Sequence, residues 1–123
     1  MAISSNLAKF RKTGDTIDYK PGSATPAGSI VKVGGIFGIA LWDIAANEAS
    51  TLKVLHRGEV IEVTTDEAIG ETAAGTAIYI IPASGLVTKS ADDGEDTPTA
   101  YPLLGYTAKA IGADGLTFDV VCA

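Results

Sequence analysis

Glycine and proline cut this chain into short apolar runs, and that division leaves little room for anything but β-structure. Fourteen glycines and five prolines sit between the runs, not in one tract, so they read as turns that punctuate strands. Thr16–Lys20 alternates apolar with polar residues, and Pro21-Gly22 and Pro26-Ala27-Gly28 set two turns after it. Proline fixes φ in such turns, and glycine supplies positive φ. Ser29–Val33 forms the next strand, and Gly34-Gly35 is a tight reversal suited to a hairpin. Ile36–Trp42 is almost continuously apolar, the pattern of a strand covered on both faces, or of one that lies on the core face and also under a neighbouring subunit. Gly38 inside it marks a bulge or a close backbone approach.

Beyond a polar turn at Asp43–Ser50, Thr51–Leu55 and Glu59–Val63 both alternate, and their phase predicts one long strand bent by a bulge at Gly58. Thr64 and Glu67 have capping-box spacing, which predicts at most one helical turn before Gly70. Thr76–Ile81 and Leu86–Lys89 read as a hairpin joined through Pro82–Gly85, Ala91–Thr99 as an acidic solvated loop, and Leu103–Ala108 and Leu116–Val121 as the closing strands. Residues Thr25–Val33 echo Thr72–Ile80 in pattern. Two similar β-units and the reuse of a common turn type account for this equally well. The expected fold is therefore all-β: a small β-sandwich or barrel of about eight short strands.

Residues 1–14 differ from the rest. Ile3, Leu7 and Phe10 are apolar at spacings of four and three, among Lys9, Arg11 and Lys12. So short a segment holds no stable helix alone, so its apolar side chains need a partner surface. The expected organisation is an extended N-terminal arm, 1–14, followed by a single β domain, 15–123.

Charge separates the same two parts. Residues 1–20 carry four bases against two acids, while the remainder has a net charge of −8. An acidic body is a poor partner for nucleic acid, where binding depends on neutralising phosphates with Lys and Arg. No apolar run approaches the roughly 20 residues that span a bilayer, and the start of the chain lacks a secretory signal's apolar core. Cys122 is the sole cysteine, which rules out an intramolecular disulfide and fits synthesis in a reducing cytoplasm.

Catalytic sets are equally scarce. His56 is the only histidine, so any Ser-His-Asp or Cys-His arrangement must use it, and a structural or surface role is expected for it. One His and one Cys exclude the usual zinc sets. Asp92–Asp96 departs from the calcium-loop pattern. Glu59 and Glu62 lie three apart on an alternating strand, which puts them on opposite faces. There is no phosphate-binding loop. The expectation is no enzyme, no cofactor, no metal, and no nucleic-acid or membrane partner.

The order of features resembles a known family. A basic arm leads into GDTIDY, then PAGSIVKVGGIFGIALWDIAANE, RGEVIEV, GTAIYI, GLVT and LLGYTAKAIGADGLTFDVVC. From about Lys9 to Cys122 this is similar to the small decoration, or cement, proteins of tailed-phage heads, a family long catalogued as a domain of unknown function and sometimes given a recombinase label. The missing phosphate loop gives that label no support. The resemblance implies a β-rich virion structural protein on the outer capsid surface, forming a homo-oligomer (dimer or trimer) and clamping neighbouring copies of the major capsid protein. On this reading Ile3, Leu7, Phe10, Arg11 and Lys12 are the candidate capsid-binding arm, with a disordered terminus as the alternative. Phe37, Leu41 and Trp42 are candidates for a subunit interface, with ordinary core positions as the alternative. The competing function is a free carbohydrate- or receptor-binding β-module. Such sites display several exposed aromatics, whereas only eight aromatic residues exist here.

Overall fold

The computed structural model describes residues 15–123 except Ala83. Nine strands follow in order: β1 (Thr16–Tyr19), β2 (Ile30–Val33), β3 (Ile36–Ile39), β4 (Ser50–Val54), β5 (Val60–Thr64), β6 (Ala77–Ile81), β7 (Leu86–Thr88), β8 (Leu103–Thr107) and β9 (Thr117–Cys122). They form two open antiparallel sheets, β1-β4-β3-β2 and β5-β9-β8-β6-β7. The all-β expectation holds, and no helix occurs among the described residues.

The two sheets repeat one plan. β1, β2, β3 and β4 correspond to β5, β6, β8 and β9, pairing in the same order and sense, and β7 is an extra strand on the second edge. The backbone hydrogen bonds repeat with it. Thr25 and Ile44 exchange reciprocal N–H···O bonds of 2.8 and 2.9 Å, and Thr72 and Ile111 do so at 3.0 and 2.8 Å. Gly28 N–H donates to the Ala40 carbonyl and Gly75 N–H to that of Thr107, both at 2.7 Å. Val54 N–H reaches Asp15 O at 2.7 Å, as Cys122 N–H reaches Glu59 O at 2.8 Å. Once these anchors are superposed, the sequences align as well: DTIDY with EVIEV, TPAGSIVKV with TAAGTAIYI, and IFGIALWDI with LLGYTAKAI. The echo between Thr25–Val33 and Thr72–Ile80 thus belongs to a duplicated unit and not to an isolated turn type.

The turn that launches each unit's second strand explains why these residues recur. Gly28 and Gly75 adopt φ of 87° and 79°, which a side chain disfavours. The Ser29 and Thr76 hydroxyls close the turn by donating to the Pro26 and Ala73 carbonyls, each at 2.7 Å. The loop after the third strand then folds back, burying Ile44 and Ile111 beneath it. In the second unit the buried Thr107 hydroxyl is satisfied, donating to Ala73 O at 2.8 Å and accepting from Thr76 N–H at 3.0 Å.

Each unit has its own core. Ala40, Ile44 and Leu52 form the smaller one, flanked by Ile17, Tyr19, Val31 and Val33. The larger gathers Val63, Ile78, Ile80, Leu104, Phe118 and Val120, and the first unit contributes Ile30, Phe37 and Leu55 to it. Fully burying a side chain such as Leu52 or Ile78 stabilises the fold by roughly 1.5–3 kcal/mol. Phe37, Ile30 and Leu55 therefore join the two sheets.

Three local expectations are corrected. β4 and β5 are not one bent strand but belong to different sheets. Between them His56–Glu59 makes a third turn of the launching type, with Gly58 at φ 86° and Glu59 N–H donating to His56 O at 3.1 Å. The predicted helical turn at 64–70 does not form. Thr65 Oγ1 donates to Glu67 O instead, at 2.7 Å, a local bond that competes with helix. The apolar run ends as a strand at Ile39, so Leu41 and Trp42 lie on the surface loop.

Gly38 and Gly105 occupy equivalent positions in their units, opposite Val54 and Cys122. A Cβ on Gly38 would lie 2.8 Å from Leu52 Cβ, whereas one on Gly105 would overlap the Val121 carbonyl itself. Close approach, not a bulge, accounts for Gly38. Gly105→Ala is expected to destabilise by more than about 3 kcal/mol, because backbone must move. Gly38→Ala, whose Cβ meets Leu52 Cβ at 2.8 Å and the Lys53 carbonyl only at 3.3 Å, is expected to cost about 1–3 kcal/mol. Urea unfolding of the two variants measures the difference.

Candidate interaction surfaces

The arm candidates Ile3, Leu7, Phe10, Arg11 and Lys12 lie outside the described residues. The chain is described from Asp15, beside the link that joins the two units. There Lys53 Nζ binds both Glu59 carboxylate oxygens, at 3.0 and 3.1 Å, and also donates to Val54 O at 2.7 Å. Glu59 Oε1 accepts the His56 amide at 2.7 Å. The His56 amide and the Lys53 ammonium hold the Glu59 carboxyl below the usual carboxylate range. His56 Nε2 lies 3.7 Å from Asp15 Oδ1 and has no hydrogen-bond partner among the described residues. Cys122 is buried behind this link, and burial pushes its thiol up, which makes it a poor nucleophile. The cluster fastens the joint between the two units.

Two carboxylates of the acidic loop, Asp92 and Asp93, are engaged by its own backbone. Asp93 Oδ1 accepts from the Glu95 and Thr99 amides, both at 3.1 Å, and Asp92 Oδ1 from Gly94 N–H at 2.9 Å. Those amides lower the Asp93 pKa. No group of three or more metal-ligating side chains occurs among the described residues.

The three interface candidates separate. Phe37 packs into the larger core, whereas Leu41 and Trp42 are 60% and 49% exposed. Trp42 Nε1 donates to Ser50 Oγ at 3.0 Å, which fixes the indole on the surface. The duplicated unit supplies a comparison within the molecule: the matching loop carries Ala108 and Lys109, yet forms the same backbone bridge. The loop fold therefore needs neither Leu41 nor Trp42.

A groove of about 560 Å³ lies between the two sheets. Ile30 and Ile39 line it from the first sheet, Ile61 and Val87 from the second, and Ile69 from the segment after β5. Glu62, Asp66 and Glu67 stand along it, and none of the described residues that line it is basic. Sequence reading missed this surface because the 64–70 segment reads as a helical turn, and the groove exists only once the two units face each other.

The model of one protein family matches residues 11–122, and its description is phage cement protein. The chain belongs to the phage cement protein family. Its membership places it among capsid-stabilising structural proteins that associate with the virion capsid. No curated protein and no solved structure gives a significant match.

The link predicts a pH dependence. A carboxylate whose pKa is lowered by folding stabilises fully at neutral pH, and that contribution is lost as pH falls through its folded value. Glu59→Gln is therefore expected to lower the melting temperature at pH 7, with the gap to the unsubstituted protein closing below about pH 4. A gap that persists unchanged in acid would show that the pair with Lys53 is not its source.

Proposed function

We propose that this cement protein stabilises the head by bridging neighbouring major capsid protein subunits on the outer capsid surface, as a homo-oligomer assembled after synthesis in the host cytoplasm. Residues 15–123 act as the rigid body. Residues 1–14, through Ile3, Leu7, Phe10, Arg11 and Lys12, grip the capsid. Leu41 and Trp42 form the contact between copies of the chain, while Phe37 belongs to the core.

The observation that carries this reading is the exposed Leu41-Trp42 pair, set against Ala108-Lys109 in the duplicated loop. Two large apolar side chains sit where the same fold accommodates an alanine and a lysine, and exposed aromatic anchors of this kind dominate protein interfaces. Oligomerisation would also multiply weak capsid contacts, since each contact after the first is effectively intramolecular. Catalysis has no comparable support, because the chain's one histidine lies in the inter-unit link.

The double substitution Leu41→Ala with Trp42→Lys installs the second unit's residues in the first. It is expected to change unfolding free energy by less than about 1 kcal/mol, and to weaken self-association at least about tenfold, or 1.4 kcal/mol. Sedimentation and denaturation on the same sample measure both. For the arm, the full chain is expected to bind heads lacking it stoichiometrically and raise their resistance to heat, with deletion of residues 1–12 reducing occupancy. Equal decoration by the deletion variant would remove the arm from this account.

A further inference from the structure

We infer that the groove between the sheets is the binding site for the chain's own N-terminal segment, residues 1–14, when the protein is free of the head. The proposal goes beyond capsid attachment and stands on complementarity between the two partners.

The groove is apolar within, through Ile30, Ile39, Ile61 and Ile69, and acidic at its border, through Asp66 and Glu67. The segment has the opposite design. It carries Lys9, Arg11 and Lys12 with no acid, and Ile3, Leu7 and Phe10 recur at four and three. That spacing places the three on one side of a helical turn, and a segment this short holds such a turn only against a surface. Cations thus meet carboxylates beside an apolar seam.

Reach decides which copy supplies the segment. Thr16 pairs with Lys53, and Lys53 pairs with Ile39 on the groove, so the chain enters β1 two strand spacings from it, about 10 Å. The six residues from Phe10 to Thr16 span up to about 20 Å when extended. The chain's own segment therefore reaches the groove with length to spare. Its tether holds it at an effective concentration in the millimolar range, far above that of a free second copy.

The test uses the full chain in solution without heads, so it does not depend on whether residues 1–14 also grip a capsid. Equal amounts of ¹⁵N-labelled and unlabelled protein are mixed, treated with a zero-length carbodiimide cross-linker and mapped by mass spectrometry. Hydrogen exchange is followed at amides 3–10 in parallel. The expected result is coupling of Lys9 or Lys12 to Asp66 or Glu67 within chains of one isotope. Protection of amides 3–10 is expected to be at least about fivefold over a random coil. It should be lost in the Asp66→Lys, Glu67→Lys double variant, whose substitutions are on exposed residues outside both cores. Cross-links of mixed isotope would assign the groove to a neighbouring copy's segment and overturn the proposal. Random-coil exchange at 3–10, or protection unchanged by the charge reversal, would overturn it equally.

Discussion

A reciprocal pair of backbone hydrogen bonds, between Thr25 and Ile44 in one half and Thr72 and Ile111 in the other, sets the form of each unit. Strands of three to six residues bury little by themselves, and a lone hairpin of this length is marginal in water. The bridge turns the loop after the third strand back over the sheet and drives an isoleucine into the core. Each unit then acquires an interior without a helix, a disulfide or a long strand. Positive φ at Gly28 and Gly75 makes that return possible, so the fold depends on two glycines as much as on its apolar side chains.

This dependence shows why some of the architecture was readable and some was not. Strand positions follow from alternation, and the hairpins at Gly34-Gly35 and Pro82–Gly85 from turn chemistry. The partition into two sheets does not, because Thr51–Leu55 and Glu59–Val63 both alternate and read as one strand with a phase adjustment at Gly58, while the backbone between them changes sheet. Local phase carries no information about which sheet a strand joins. The duplication was half visible. Thr25–Val33 and Thr72–Ile80 share their turn residues, but Ala40-Leu41-Trp42 and Thr107-Ala108-Lys109 share only backbone geometry, and similarity emerges there after the hydrogen bonds are aligned. The candidate surfaces divide in the same way. Exposure of Leu41 and Trp42 depends on where β3 stops, which an unbroken apolar run conceals. The groove, bounded by residues as far apart as Ile30 and Val87, has no sequence signature.

The joint between the units unites stability and assembly. Phe37, Ile30 and Leu55 pass from the first sheet into the second unit's core, and Lys53 with Glu59 clamps the covalent link beside them. A protein that stabilises a shell by contact must transmit load between its contact surfaces without yielding between them. A packed apolar joint resists that load better than exposed ion pairs, which are screened by salt and individually weak.

The unequal treatment of one position in the two units has a practical meaning. Between its second and third strands the first unit has only Gly34-Gly35, while the second, between Ile81 and Leu103, carries β7 and the entire acidic loop. The same scaffold has thus accepted an insertion of some twenty residues at this point, consistent with the slow growth of loop-closure entropy with length. The glycine pair is the natural place to graft a foreign peptide for display on a particle, since its counterpart already bears one of nature's own.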